Sequence, residues 1–340
     1  MRSLALASAA LALVACGARS PAADPVATSA PERGWLVWSE PAEGEVRTTW
    51  IDASGEARAE RPGLVMASGS SLVVIQRERE TMVLPTCDQL EQDDAGAPGG
   101  DEGTRTRLVA ASLATGEQRV LLEALDAEGL ASLDHDLVPI ASLGPWLFVR
   151  ERAERFACGA HGDAEVAVRV IDVRTGSRAE LELGPANDLR ARARDALLAE
   201  GEGAIEAPLE LEAVEAVASV PALEAGRVVM DHVFATEACY ACGDGEWSSY
   251  TRATTIRDAR VPGAIAQDAA LPEPVARWIA AHQGVRGVSD APASQLALFA
   301  GQGARAEGGS AEASAEARVE DAASSAEATG DPGVASASSW

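Results

Sequence analysis

The sequence predicts a mainly β fold, built from antiparallel hairpin units with short helical inserts. Three segments share one plan, in which a short apolar strand, a turn containing glycine and a hydrophobic strand ending in charges follow one another. They are MASGSSLVVIQRE (66–78), IASLGPWLFVRER (140–152) and VPALEAGRVVMDH (220–232). The turns ATGE and RTGS, in the β-rich stretches after the first two, place glycine where a hairpin needs positive φ. Residues 34–58 form a fourth, shorter copy.

These units resemble the blades of β-propellers, because each combines a strand, a glycine turn and a meander of further strands. A blade usually takes roughly 40–50 residues. The units here are spaced more widely, since they begin at residues 66, 140 and 220. Acidic, partly helical inserts account for the additional residues in each unit. The resemblance implies a small or irregular propeller. A β-sandwich and a stack of meanders account for the same hairpins, so the sequence leaves these arrangements open.

One insert, residues 187–203, has the pattern of an amphipathic helix. Asn187 is suited to the N-cap position, and Gly201 ends the pattern. The apolar face of this helix consists of Leu189, Ala193, Ala196 and Leu197.

A second short helix is predicted within residues 271–284, where Gly284 provides the stop. We expect its tryptophan face to cap the β core, and residues 285–300 to supply a closing strand. The residues that fall at i, i+3, i+4 and i+7 are Val275, Trp278, Ile279 and His282.

The N-terminus has the features of an export signal. Arg2 gives a positive start, and the apolar run from Leu4 to Ala15 is shorter than the roughly 20 residues that span a bilayer. The run ends in LVAC and resembles the lipobox of bacterial lipoproteins. That resemblance implies that residues 1–15 are removed and that Cys16 carries the lipid. An ordinary signal peptide with a chance cysteine is the alternative.

The lipobox resemblance also implies a location in the cell envelope, with the membrane as a partner through the lipid anchor. Position 17 is glycine and not aspartate, which in a Gram-negative cell implies the outer membrane. Residues 16–33 are small, polar and proline-containing, as in a flexible tether. Residues 34–301 form the predicted β-rich domain. Residues 302–340 are rich in Ala, Ser, Glu and Gly and are predicted to be disordered.

The charge of the chain excludes several functions. Its net charge is −25, which disfavours nucleic acid as a partner because binding phosphates needs clustered cations. All 28 basic residues are arginine, so a Schiff-base lysine, a phosphate-loop lysine and a Ser–Lys dyad are all excluded.

Four cysteines are left once Cys16 is lipidated, and in an exported chain we expect them to form disulfides. Each follows one of the repeated hairpins, so equivalent loops of neighbouring units carry Cys87 and Cys158. We therefore predict the pairs Cys87–Cys158 and Cys239–Cys242, although four cysteines allow three connectivities.

Three other uses of these cysteines have weaker support in the sequence. A zinc site made by Cys158, His161, Cys239 and Cys242 has suitable ligands and spacing, but it competes with oxidation and leaves Cys87 without a role. A thioredoxin-like site needs a helix after the cysteines, and Cys242 is followed by glycine. Haem attachment needs histidine at position 243, which is that same glycine.

The histidines give no catalytic anchor. His135 lies between two aspartates in LDHDL (133–137), but in a strand these three side chains do not converge, so we expect an exposed loop histidine. We expect His232 in a strand and His282 at a helix rim.

Two further clusters of side chains have the chemistry of ligand sites. The carboxylates of one Gly/Pro-rich loop can in principle hold calcium, but their spacing matches no calcium motif, so we expect a solvated loop. They are Asp93, Asp94, Asp101 and Glu102. The first hairpin contains three tryptophans, Trp35, Trp38 and Trp50. Strand alternation allows at least one indole to be exposed for stacking on a sugar or peptide, but packing in the core is the commoner use of such residues.

The sequence predicts no cofactor and identifies no catalytic residue; it has no G-x-S-x-G elbow. It favours a lipid-anchored, non-catalytic binding or scaffold module that presents its loops to a protein or a small molecule. The alternative is an envelope hydrolase that uses dispersed carboxylates on a propeller face.

Overall fold

The computed structural model describes residues 33–40, 45–91, 100–200, 209–239 and 242–301. The predicted signal peptide, Cys16, nearly all of the tether and the C-terminal tail lie outside the described residues. Within these ranges, no helix is long and apolar enough to cross a bilayer.

The described chain is dominated by β-strands, with three α-helices between them. The strands are β1 (Arg33–Ser39), β2 (Arg47–Ile51), β3 (Ala57–Pro62), β4 (Leu64–Ser68), β5 (Ser71–Val83), β6 (Glu102–Ser112), β7 (Gln118–Leu122), β8 (Ser132–Leu143), β9 (Trp146–Phe156), β10 (Asp163–Asp172), β11 (Ser177–Arg178), β12 (Glu215–Glu224), β13 (Arg227–Glu237), β14 (Thr251–Asp258) and β15 (Val285–Pro292). The helices are α1 (Cys87–Glu91), α2 (Asn187–Glu200) and α3 (Glu273–Ala281).

The strands form four antiparallel meanders. The first has the order β15-β1-β2-β3, the second runs from β4 to β7, the third from β8 to β11 and the fourth from β12 to β14. The three repeated segments are the hairpins β4–β5, β8–β9 and β12–β13, and the fourth copy contains β1 and β2. Gly116 and Gly176 of the ATGE and RTGS turns have φ of 74° and 73°. The mainly β, hairpin-based fold is therefore confirmed.

Parallel pairing joins the first three meanders into one twelve-stranded sheet. Gly287 and Val288 of β15 pair with β8, and one bridge links β6 to β8. The predicted closing strand is thus present as β15. This strand also contacts β4 and β12, so one strand from each meander meets near a common centre. That convergence is expected of a propeller-like arrangement. The hydrogen bonds define the four meanders, and the propeller itself stays a prediction.

Apolar side chains pack between the meanders. Trp38 and Trp50 are buried, and the indole N–H of Trp38 donates to Ser142 Oγ over 2.8 Å, which links β1 to β8. Trp35 is half-buried. Packing, the commoner use of such residues, therefore accounts for this hairpin, because neighbouring meanders cover both faces of β1.

Both predicted helices are present. Helix α2 begins at Asn187 and buries Leu189, Ala193 and Leu197 against the fourth meander. Helix α3 buries Val275 and Ile279 in the core shared by the first, third and fourth meanders. At its end, the exposed imidazole of His282 stacks on Trp278, with ring centroids 3.7 Å apart. Helix α1 was not predicted.

Candidate functional site

The cysteines are paired as the sequence predicts. Cys87 and Cys158 are disulfide-bonded with their Cα atoms 5.3 Å apart, and Cys239 and Cys242 are bonded with theirs 4.9 Å apart. Cys87 follows β5 and Cys158 follows β9, so the first bridge joins the second meander to the third. The loop after Cys242 hydrogen-bonds β10, since Val166 N–H donates to the Trp247 carbonyl.

The zinc hypothesis for Cys158, His161, Cys239 and Cys242 is not supported by this geometry, because Cys158 is bonded to Cys87. Among the described residues, no group of three or more His, Cys, Asp or Glu side chains can hold a metal ion. Of the carboxylates suggested for calcium, Asp101 and Glu102 are exposed, while Asp93 and Asp94 lie outside the described residues.

The expectation for His135 is wrong. This histidine lies on β8 and is fully buried. The segment after β7 contacts it, since the backbone N–H of Leu125 donates to His135 Nδ1 over 3.4 Å. The Nε2 of His135 is 3.3 Å from a Glu151 carboxylate oxygen, and Arg169 Nε donates to the other oxygen over 2.6 Å. The hydrogen bond from His135, supported by Arg169, outweighs burial and lowers the pKa of Glu151 to about 2. The neighbouring aspartates point elsewhere, as alternation in a strand requires.

The Glu151 cluster borders a cavity of only about 90 Å³. Ligand pockets are usually several hundred Å³. A buried histidine, a carboxylate and a guanidinium that satisfy one another serve the packing of β8, β9 and β10.

A second buried histidine forms a Ser–His pair. His232 is in strand β13 as predicted, and its Nδ1 is 2.7 Å from Ser219 Oγ. Burial lowers the pKa of His232, although Asp258 and Asp231 act in the opposite direction. The imidazole is only 1% exposed and does not line the cleft described next.

A cleft lies where the turns of several meanders meet. We name it the Asp268 cleft, and it consists of two adjoining lobes of about 370 and 200 Å³. It lies at the end of the β8–β9 hairpin opposite to the cysteines: β9 has 11 residues, so about 33 Å separate the two ends. Both lobes are lined by Arg33, Gly144, Asp268, Ser289 and Asp290.

Different elements supply these residues. Arg33 begins β1 and is paired with Pro292 of β15, while Asp290 lies directly across from Trp35. Asp268 comes from the connection before α3. Gly144 occupies the β8–β9 turn with φ of 56°, and a Cβ there would lie 2.4 Å from Asp268 Oδ1. Glycine therefore permits both the turn and the close approach of the carboxylate.

Asp268 is the cleft carboxylate whose pKa is shifted by its surroundings. One of its oxygens accepts a hydrogen bond from the indole N–H of Trp146 over 3.1 Å. Burial and the nearby Asp290 carboxylate raise the pKa of Asp268, against the opposing effects of Trp146 and Arg174. The Arg174 guanidinium lies over the Trp146 ring at 5.4 Å and binds Asp172 through two nitrogens.

Three cleft groups have no polar side-chain partner within the described ranges. The Arg33 guanidinium and the Asp290 carboxylate are exposed, and neither takes part in a salt bridge or a side-chain hydrogen bond there. Ser289 is only 4% exposed, and its hydroxyl also lacks such a partner although the residue lines both lobes. The cleft thus presents the carboxylates of Asp268 and Asp290 and the guanidinium of Arg33 to a molecule of modest size.

Sequence reasoning missed this site. Its residues are spread from position 33 to position 290, and only the pairing of β1 with β15 brings the two ends together. The aspartate in GVSDAP (287–292), within the predicted closing strand, is the one local signal that could have pointed to it.

The sequence matches no protein-family model, and it is similar to no curated protein and to no solved structure.

Proposed function

We propose that this protein is a lipid-anchored binding module of the cell envelope, and that it holds a small polar ligand in the Asp268 cleft. The observation that carries the binding function is the set of unpaired polar groups in that cleft. Such groups, converging in a concave site of a few hundred Å³, fix the orientation of a ligand.

The leader supports the anchored location. The LVAC sequence at its end supplies Cys16 as the acylated residue, and each buried methylene of an acyl chain adds roughly 0.8 kcal/mol of membrane affinity. Arg33, at the end of the tether, lines the cleft. Seventeen peptide units from Cys16 to Arg33 reach at most about 60 Å, so the cleft stays within that distance of the bilayer surface.

The two disulfides support the same location. Disulfides persist in oxidising compartments and are rare in the cytosol of mesophiles. A chain that bonds all four of its other cysteines suits the envelope.

Acylation is tested by growing cells with labelled palmitate and comparing the wild type with Cys16→Ser. We expect label in the wild type and none in Cys16→Ser. Cys242→Ser is the matched control, because it removes a different cysteine and should still be labelled. An unlabelled wild type would refute the anchor.

Binding is tested by thermal unfolding of the purified domain with a panel of amines, carboxylates and sugars. We expect at least one class to raise the midpoint, and Asp290→Ala to reduce that shift. Glu128→Ala, which removes an exposed carboxylate far from the cleft, should leave the shift unchanged. Equal shifts in both variants would contradict the proposed site.

A second candidate function, hydrolysis, is favoured by the same two aspartates. Glycoside hydrolases combine a carboxyl of raised pKa with a second carboxylate. Here Asp268 would donate its proton to the leaving oxygen, and Asp290 would accept one from the attacking water. Oligosaccharides, whose leaving sugar oxygen needs a proton, test this: Asp268→Asn should abolish their hydrolysis, and absence of turnover by the wild type removes this candidate.

A further inference from the structure

We propose a second binding site, in a groove between the third and fourth meanders, where the alkyl chain of a fatty-acid-like carboxylate lies on an apolar floor and its headgroup pairs with Arg150. We name it the Trp247 groove. This inference does not depend on the Asp268 cleft, since the two sites share no lining residue.

The groove has an apolar floor that is partly open to solvent. Its volume is about 480 Å³, which is within the range of ordinary ligand sites. Half-buried apolar side chains from β8, β10, β12, β15 and the loop after Cys242 line it. The larger ones are Ile140, Val168, Val220, Leu223, Val285 and Trp247. Partly exposed apolar surface gathered in one concavity is typical of a site that another molecule covers.

The loop after Cys242 builds one wall of the groove. Val166 N–H donates to the Trp247 carbonyl over 2.8 Å, and Ser249 N–H donates to the Ala164 carbonyl over 3.1 Å. This segment therefore lies along β10, and it places an indole beside the apolar floor. An indole offers a large apolar contact area to a bound chain.

Arg150 is the cation that the groove offers to a ligand. The residue is exposed, and within the described ranges its guanidinium forms no salt bridge and no side-chain hydrogen bond. Arg150 is paired directly with Val168 across β9 and β10, so its charge lies beside the floor. A guanidinium next to apolar surface suits a molecule that carries a carboxylate at the end of an apolar chain.

The other charged groups of the lining are already paired. Arg257 binds Asp231 through two nitrogens at 2.7 and 2.9 Å, so this carboxylate is not available to Arg150. The Arg286 guanidinium lies 3.8 Å from Glu40. Although the chain has a net charge of −25, Arg150 thus has no contact with a described carboxylate, and the groove favours an anionic headgroup.

The edge of β12 disfavours a peptide that would bind as an added strand. β12 pairs with β13 on one side, and no described strand pairs with its other edge. Pro221 lies in β12 and lines the groove, and a proline has no N–H to donate to an added strand. An alkyl chain needs no hydrogen bonds, so the floor suits it better than it suits a polypeptide backbone.

The test uses the mature chain from residue 17 to residue 340, which lacks the lipid and so needs no detergent that would occupy the groove. Tryptophan fluorescence is recorded as octanoate, butyrate or 1-octanol is added at constant ionic strength. We expect octanoate to bind at least about tenfold better than butyrate, because each buried methylene contributes a factor of about four. 1-Octanol has the same chain without the charge and should bind about tenfold more weakly than octanoate.

Two variants and a control locate the binding. Arg150→Gln should weaken octanoate binding about tenfold, the factor of one charge-assisted hydrogen bond, and leave 1-octanol binding unchanged. Trp247→Phe should lose most of the fluorescence change while calorimetry still detects binding. Arg190→Gln should bind octanoate as the wild type does, because this exposed arginine belongs to α2, which packs on the opposite face of the fourth meander.

The inference is wrong if octanoate binds no better than butyrate or 1-octanol, or if Arg150→Gln binds it as well as the wild type does. It is also wrong if the acidic peptide acetyl-ELVLE binds while octanoate does not, since a peptide then occupies the groove. A wild type that sediments as a dimer and does not bind octanoate would show that a second copy covers the groove, which overturns the inference too.

Circular dichroism of each variant separates lost binding from lost folding. If Arg150→Gln does not fold, Val168→Glu provides a second variant, because it places a carboxylate directly across from Arg150. It should weaken octanoate binding at least about tenfold, and unchanged binding would contradict the inference. None of these outcomes bears on the Asp268 cleft, whose residues all differ.

Discussion

The two disulfides should contribute unequally to stability, and their loop lengths give the difference. Cys87 and Cys158 are separated by 71 positions in the chain, whereas Cys239 and Cys242 are separated by three. In the loop-entropy model, the longer loop corresponds to about 4 kcal/mol and the shorter to about 2 kcal/mol at 25 °C.

We therefore expect the double variant Cys87→Ser/Cys158→Ser to lose about 4 kcal/mol of unfolding free energy. The matched double variant Cys239→Ser/Cys242→Ser should lose at most about half as much. Urea unfolding of both variants and the wild type, followed by far-UV circular dichroism, measures the free energies. Equal losses, or a larger loss for the Cys239/Cys242 variant, would refute the loop-length reasoning.

Three more substitutions test individual groups. The pKa of Glu151 is lowered to about 2, so its ionised carboxylate contributes about 3 kcal/mol to the free energy of unfolding. This contribution is present above the pKa of about 4.5 that the group has in the unfolded chain, and it is lost as the pH falls towards 2. Glu151→Gln should remove this pH dependence when unfolding is measured against pH. The Arg61 guanidinium has a buried Nε and Nη1 without hydrogen-bond partners among the described residues. Arg61→Met should therefore raise the unfolding free energy in urea by about 1 kcal/mol, and a loss would contradict this. Burial raises the pKa of Asp268, so the wild type loses stability as the pH rises from the pKa of the unfolded chain through the pKa of the folded protein. Asp268→Asn should therefore have a higher unfolding free energy than the wild type at pH 7. This difference should disappear at pH values below the pKa of the unfolded chain.

The hairpins and helices could be predicted because their signals are local. Glycine turns between alternating strands lie within about ten residues of each other, and the apolar faces of α2 and α3 repeat at helical spacing. The cysteine pairing could be predicted because Cys87 and Cys158 occupy equivalent positions in repeated units. These are properties of short segments and of their order along the chain.

His135 and the Asp268 cleft could not be predicted because they depend on which meanders become neighbours. The flanking aspartates of His135 indicate exposure, yet the other face of β8 is covered in part by the second meander, because the backbone N–H of Leu125, just after β7, donates to His135 Nδ1 over 3.4 Å. The cleft likewise exists only after β15 pairs with β1. Neither position has a charge or hydrophobic pattern that identifies its partner in advance.

Peptide mass spectrometry of the protein purified from its native membrane, digested without reduction, tests the central claim most directly. The claim is that the chain is exported, acylated and oxidised before it binds its ligand. We predict a first peptide that begins at an acylated Cys16, a cross-linked peptide pair containing Cys87 and Cys158, and an internally bridged peptide containing Cys239 and Cys242. A chain that still begins at Met1 and carries free thiols at these four positions would contradict it.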